Sequence, residues 1–160
     1  MSRPVNGRGT GSVTDDRFGI LFVCTANLCR SPMAEHLARQ RLSTAAPADR
    51  IVMGSGGTRA DAGRSMHPHA AAVLSERGVD PAGFVSRPVS ATGLLGASLV
   101  LTAAREHRAH CVTVAPGVVR RCFTLAQFVR LAESVDPASL SGIDPADRPR
   151  AAVAAALSAR

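Results

Sequence analysis

A cysteine and an arginine separated by five residues are the groups in this chain best suited to phosphate chemistry. Cys24 follows the apolar run 19–23, which is typical of a strand buried on both faces of a parallel sheet. Arg30 precedes Ser31-Pro32, and this pair predicts a helix with Ser31 as N-cap and Pro32 in the first turn. A loop between a strand and a helix directs backbone N–H groups and a positive field at one spot. These residues predict an oxyanion site.

The side chains of this loop suit phosphoryl transfer. The loop N–H groups and the helix dipole favour the thiolate form of Cys24, and the planar fork of Arg30 matches two phosphate oxygens. Asn27 tolerates the left-handed backbone that an inward-facing loop requires. Ser31 has two interpretations, because its hydroxyl either donates to the Cys24 sulfur or only caps the helix. The loop therefore combines a nucleophile with a cation that binds oxyanions.

This loop resembles that of the low-molecular-weight protein tyrosine phosphatases, which runs cysteine, two residues, asparagine, two residues, arginine, serine, proline. The positions that match are Cys24, Asn27, Arg30, Ser31 and Pro32. The resemblance continues through segments 51–58, 63–80 and 86–108, so that it extends from Phe18 to Ala132. A span of that length makes chance a poor explanation.

The resemblance implies an α/β fold, a single three-layer domain with a four-stranded parallel sheet of the phosphotyrosine phosphatase I type. It implies a phosphatase acting through a phosphocysteine on Cys24, with Arg30 holding the equatorial oxygens and with no metal or other cofactor. Ser55 is either a polar support beneath the loop, as in the family, or an ordinary turn residue. The implied substrate-binding loop consists of Thr25, Ala26, Asn27, Leu28, Cys29 and Arg30.

The chain departs from the family at the general acid, an aspartate in an Asp-Pro-aromatic sequence. Asp80, Asp136 and Asp144 are each followed by Pro-Ala, so we expect turns at all three. Asp136 and Asp144 remain weak candidates for the acid, and we expect the chain to stop short of the acid loop. Loss of a general acid typically lowers a rate roughly 100- to 10,000-fold. We therefore expect weak activity on ordinary phosphoesters.

The walls of the site are the second departure, because the family lines its substrate slot with aromatic residues. This chain has no Trp or Tyr and 5 Phe, so the sequence gives no support to a preference for phosphotyrosine. Arg59, Asp61 and Arg64 follow the second predicted strand, where they either read charge on a substrate or are simply solvated. Two alternatives stay open: a thiol-based arsenate reductase, and a non-catalytic module that binds oxyanions or phosphoproteins.

Composition limits the other classes of function. The 160 residues suit one domain, predicted at 18–160 after a disordered tail at 1–17. The net charge is +7, and every basic residue is an arginine. These arginines are dispersed and lack aromatic partners, so we expect no nucleic-acid role. Without an apolar span or signal sequence, we expect a cytoplasmic protein with no membrane contact. Its expected partner is a phosphorylated protein or a small phosphomonoester.

The remaining cysteines and histidines fit no metal site. Cys111 and Cys122 lie in apolar surroundings and are expected in the core, in a chain whose thiols stay reduced. Cys29 either packs the loop or, as the resemblance implies, forms a protective disulfide with Cys24 on oxidation. Surface or capping positions are expected for the histidines, which are His36, His67, His69, His107 and His110.

Hydrophobic patterning predicts alternating strands and helices. The predicted strands are 19–24, 51–54, 99–102 and 118–124. The predicted helices are 32–42, 68–77, 105–112, 126–132 and 145–158, with Gly78 ending the second. Parallel crossovers place the Cys24 loop at the carboxyl edge of the sheet, where open α/β folds bind ligands.

Overall fold

The structure is a computed structural model that describes residues 17–44 and 48–158. Within these residues the strands are β1 (Phe18–Cys24), β2 (Ile51–Gly57), β3 (Leu99–Thr102) and β4 (Cys122–Thr124). The helices are α1 (Arg30–Leu42), α2 (Pro68–Glu76), α3 (Ala91–Gly96), α4 (Arg105–Val114), α5 (Leu125–Glu133) and α6 (Arg148–Ser158). The predicted tail lies outside the described residues apart from Arg17.

The strands form a parallel sheet in the order β2-β1-β3-β4, which confirms the predicted α/β class and parallel sheet. The register sets Cys24 beside Gly57 and Val23 beside Thr102. The carboxyl ends of the strands consequently meet at one edge, and β1 occupies a central position there. The loop after β1 thus lies where an open parallel sheet binds its ligands.

Helices cover both faces of the sheet, because successive side chains of each strand point to opposite sides. On one face, Val23 and Val100 pack with residues of α3 and α4. On the other, Phe22 and Leu101 pack with residues of α1, α5 and α6. A smaller cluster joins α1 to α2 around Leu74. This is the predicted three-layer arrangement.

Two predicted elements are shorter in the structure. The fourth strand was predicted at 118–124, but a 3-10 helix at Pro116–Val118 delays it, with Arg121 N–H donating to the Val118 carbonyl at 2.9 Å. The last helix was predicted from Pro145, but Asp144 opens a turn first, and its backbone carbonyl accepts the N–H of Asp147 at 2.8 Å. In both places local turn hydrogen bonds take precedence over the apolar pattern.

The start of α1 corrects the expectation for Ser31. Helix α1 begins at Arg30 with Cys29 at the N-cap position, and among the described residues no side chain caps it. Ser31 and Pro32 therefore lie inside the first turn, where both are buried, and the Ser31 hydroxyl is not a helix cap. The serine-proline pair identified the helix correctly but placed its first residue at 32, two residues after its position in the structure.

Other local predictions are confirmed. Gly78 has a positive φ of 70° and ends α2 in a Schellman motif, with Val79 N–H donating to the Leu74 carbonyl. Cys111 and Cys122 are fully buried, and their mutual hydrogen bond together with burial raises the pKa of the Cys111 thiol. Within the described ranges, no helix is both long enough and apolar enough to span a bilayer.

Candidate functional site

The Cys24 thiol lies at the end of β1, almost fully buried beneath the loop. Its Sγ is 3.0 Å from the Ser31 Oγ, and the two side chains are 3% and 2% exposed. Ser31 donates its single proton to the Gly56 carbonyl at 3.3 Å, so in this arrangement the Cys24 thiol donates to Ser31 Oγ, and the hydroxyl turns to the sulfur when the thiolate forms. Of the two interpretations of Ser31, the contact with the sulfur is the one the structure contains.

Asn27 holds the loop in its inward-facing shape. It has a φ of 55°, in the left-handed region that few non-glycine residues occupy. Its buried amide donates to Ser31 Oγ and to Ser55 Oγ, both at 2.9 Å, and its Oδ1 accepts the Arg87 N–H at 2.9 Å. One side chain thereby ties the loop to β2 and to the segment before α3. Ser55, 1% exposed, lies beneath the loop as the resemblance implied.

At Gly57 the backbone of β2 packs closely against the backbone of the loop. A Cβ at this position would lie 2.5 Å from the Thr25 carbonyl oxygen and 2.8 Å from the Asn27 nitrogen, distances that leave no room for it. Thr58 N–H donates to the Cys24 carbonyl, and Arg59 N–H donates to the Thr25 carbonyl, both at 2.9 Å. Glycine at the end of β2 therefore allows the second strand to support the loop directly.

The helix that follows the loop adds an anion-binding element. No side chain from the described residues caps α1, and the N-terminus of a helix has a positive dipole end that favours anions. Arg30, the first residue of α1, is exposed, so its guanidinium is accessible to a ligand. A buried thiol, a helix N-terminus and an accessible guanidinium together suit a tetrahedral dianion.

A histidine that was expected at the surface is part of this site instead. His107, on α4, is 2% exposed, and its Nε2 is 2.8 Å from Thr25 Oγ1. The same threonine oxygen accepts a hydrogen bond from Arg30 at 3.2 Å. Burial lowers the pKa of His107; the nearby Arg30 and His110 act in the same direction, and Glu106 opposes them. Because 82 residues separate His107 from Thr25, no local pattern indicated this contact.

The other predicted loop residues have packing or backbone contacts. Leu28 accepts the His67 N–H through its carbonyl at 2.9 Å, and Ala26 is half-buried. Cys29 is a free thiol that packs against the cluster between α1 and α2, which agrees with a packing role. His67 caps α2 through its Nδ1, as expected.

The candidates for a general acid are engaged in turns. Asp136 Oδ1 accepts the Ala138 N–H at 2.9 Å, and Asp144 Oδ1 accepts the Ala146 N–H at 2.8 Å. Asp80 makes the same contact with Ala82. The prediction that these Asp-Pro pairs form turns is confirmed.

The side chains around the site are mostly aliphatic or charged. An apolar groove of about 440 Å³ adjoins Arg30, with Met33, Leu37 and Leu125 among its lining residues. The five phenylalanines pack in hydrophobic clusters, and one of them, Phe22, also lines this groove. The Asp61 and Arg64 side chains after β2 are exposed, 82% and 60% respectively, in agreement with solvated groups.

Comparison with known proteins identifies the family. The family model described as "Low molecular weight phosphotyrosine protein phosphatase" matches residues 19–148. The chain is similar to the low molecular weight protein-tyrosine-phosphatase Etp of Escherichia coli strain K12, with 34% identity over 121 residues, covering 74% of this chain and 76% of the relative. It is equally similar to a protein-arginine-phosphatase of Geobacillus stearothermophilus, with 34% identity over 112 residues, covering 70% and 72%.

Solved structures of phosphatases superimpose on this chain. An arginine phosphatase from Geobacillus stearothermophilus superimposes with a TM-score of 0.63 at 29% identity, covering 89% of this chain and 87% of that one. A low molecular weight protein tyrosine phosphatase from T. tengcongensis gives a TM-score of 0.64 at 27% identity, covering 89% and 96%. The chain belongs to the low-molecular-weight phosphotyrosine protein phosphatase family, a family of cysteine-dependent phosphatases, and is a hydrolase of that kind.

The role of Asn27 can be divided between its backbone and its side chain. Asn27→Gly keeps the left-handed backbone accessible and removes three hydrogen bonds, each worth about 1 kcal/mol. Asn27→Ala removes the same bonds and adds about 1 to 2 kcal/mol for a left-handed residue with a Cβ. We expect urea unfolding to rank stability as wild type, then glycine, then alanine, with phosphate affinity following the same order. An alanine variant as stable as wild type would show that the loop does not depend on this residue.

Proposed function

We propose that Cys24 is the nucleophile and Arg30 the oxyanion-binding group of this phosphatase. The observation that carries the proposal is the 3.0 Å contact between Cys24 Sγ and Ser31 Oγ, within a loop that Asn27 holds in place. A serine hydroxyl at this distance donates to a thiolate and stabilises it both before attack and when it later leaves. Ser55 supports Asn27 from below, while the loop from Thr25 to Arg30 binds the phosphoryl group.

The reaction has two displacements at phosphorus. The Cys24 thiolate forms an S–P bond while the bond from phosphorus to the leaving group breaks, and the leaving group departs as an anion that water then protonates. Water then attacks the phosphocysteine, the S–P bond breaks, and phosphate leaves with the thiolate restored. In both steps charge grows on the equatorial oxygens, where Arg30 and the loop N–H groups stabilise it.

The substrate that we propose is a phosphotyrosyl protein, hydrolysed in the cytoplasm. Family membership supports the substrate class. The compartment is supported by Cys24 and Cys29, which are both thiols in one loop, since reducing conditions keep such a pair from forming a disulfide.

A phosphoarginyl protein is the second candidate substrate. The observation that favours it is the groove beside Arg30, whose apolar lining is aliphatic apart from Phe22. The arginine phosphatase relative supports it as well, being as similar in identity as the tyrosine phosphatase relative.

Replacing the sulfur of Cys24 tests the proposed nucleophile. Cys24→Ser is expected to reduce hydrolysis of p-nitrophenyl phosphate to the background rate, because a neutral serine hydroxyl is a far weaker nucleophile than a thiolate. Cys29→Ser is the matched control, since it changes a cysteine of the same loop and should retain most of the activity. Turnover by the Cys24→Ser protein comparable to wild type would eliminate this mechanism.

The two substrate classes separate in one comparison. Phosphate release is measured from a phosphotyrosine peptide and from a phosphoarginine peptide of otherwise identical sequence, at equal concentration. We expect a higher kcat/KM for phosphotyrosine. A ratio of about 10 or more in favour of phosphoarginine, equivalent to roughly 1.4 kcal/mol of transition-state binding, would assign the second candidate instead.

Leaving-group chemistry reveals whether an acid operates. Because Asp136 and Asp144 hold turns, we expect kcat/KM, which reports the first displacement, to fall steeply across aryl phosphates as the pKa of the leaving phenol rises, the sign of an unprotonated departure. Asp136→Asn and Asp144→Asn should then leave the rate on p-nitrophenyl phosphate unchanged. A shallow dependence, combined with a loss of roughly 100-fold or more in either variant, would instead identify that aspartate as the general acid.

A further inference from the structure

The contact between His107 and Thr25 links a buried titratable ring to the group that binds oxyanions. Thr25 Oγ1 accepts a hydrogen bond from the Arg30 guanidinium, with 3.2 Å between the nitrogen and the oxygen. The same oxygen lies 2.8 Å from His107 Nε2. A hydroxyl has one proton and two lone pairs. Because Arg30 donates to Thr25 Oγ1, the threonine's own proton needs a separate acceptor, and the neutral tautomer with its proton on Nδ1 supplies one at Nε2.

Protonation of the ring reverses this hydrogen bond. Nε2 then carries a proton and must donate to Thr25 Oγ1, where it competes with Arg30 for the same oxygen. The hydroxyl proton of Thr25 also loses its acceptor. The imidazolium and the guanidinium, two cations, then contact the same threonine oxygen.

We propose that His107 is a positioning residue for Arg30, which in its neutral form orients the Thr25 hydroxyl toward itself and on protonation weakens oxyanion binding at the loop. The inference rests on the proposed role of Arg30. It adds a group on α4, outside the loop, whose charge controls how firmly that arginine is held.

The surroundings of the ring keep it neutral near pH 7. Its Nδ1 is buried, with no hydrogen-bond partner among residues 17–44 and 48–158, so the Nδ1 N–H is unpaired in the neutral and in the charged ring, and protonation of Nε2 changes only the bond to Thr25. Burial lowers the pKa of His107, with Arg30 and His110 adding to the effect and Glu106 opposing it. Of the strands packed near α4, β3 contains no titratable residue and β4 contributes the Cys122 thiol. Among these charged groups around His107, Arg30 is the one that we propose binds the oxyanion.

Because burial lowers the pKa of His107, the ring becomes charged at a lower pH than an ordinary histidine. Oxyanion affinity should therefore be full at pH 7 to 8 and fall as the pH decreases toward 5, beyond what titration of the ligand causes. A variant with an uncharged side chain in place of His107 lacks this additional fall. The ratio of wild-type to variant affinity isolates the effect, because titration of the ligand is common to both proteins.

The test measures binding of inorganic phosphate by calorimetry between pH 5 and 8. His107→Gln places a neutral amide close to the position of Nε2, and His69→Gln changes an exposed histidine of α2, which is not among the charges that act on His107, as the control. We expect the affinity ratio of wild type to His107→Gln to fall roughly tenfold from pH 7.5 to pH 5, about the effect of one charge-assisted hydrogen bond. The ratio for His69→Gln should stay constant.

Thr25→Val tests the same link from the other side. Without the hydroxyl, the additional acidic fall should disappear, and adding His107→Gln should cause no further change, as in a double-mutant cycle of coupled groups. This variant decides the question even if His107→Gln fails to fold. The inference is overturned if the affinity ratio of wild type to His107→Gln is constant with pH, or if the additional acidic fall persists in Thr25→Val. Either result leaves the proposed function intact. Absence of phosphate binding by the wild type at every pH overturns both.

Discussion

The left-handed backbone of Asn27 is the constraint on which the rest of the site depends. A loop whose N–H groups all face inward needs such a residue, and a glycine there would leave the loop free to relax. Asparagine supplies both the conformation and the contacts that fix it, because its amide bonds Ser31 and Ser55 while its oxygen accepts from Arg87. The sulfur of Cys24 then has a defined neighbour in Ser31.

Parallel β topology brings these partners together from distant parts of the chain. With β1 inside the sheet, its loop has β2 on one side and β3 on the other. Gly57 at the end of β2 permits close backbone approach, and the helix after β3 provides His107. The buried thiol thus has a polar network below it, while the exposed guanidinium of Arg30 is open to ligand.

The loop and its flanking elements could be predicted from the sequence because strand, motif and helix are contiguous and each has a local signature. The contacts beyond them could not. Ser31 has the propensity of a helix cap, but its hydroxyl bonds the Cys24 sulfur instead. His107 was expected at the surface, and its burial follows from how α4 packs on the sheet, over a separation of 82 residues from Thr25. Ser55 was left open between a support and a turn, since only the register of β2 places it under Asn27.

The central claim, that phosphate is transferred to the sulfur of Cys24, is tested most directly by trapping the intermediate. Enzyme mixed rapidly with a phosphotyrosine peptide is quenched in acid, digested, and analysed by mass spectrometry for an added phosphoryl group. The account predicts that the adduct lies on the peptide containing Cys24 and specifically on that residue, that it persists in Cys29→Ser, and that it is absent from Cys24→Ser. A phosphoryl group mapped to any other residue, or sustained turnover by Cys24→Ser, would contradict it.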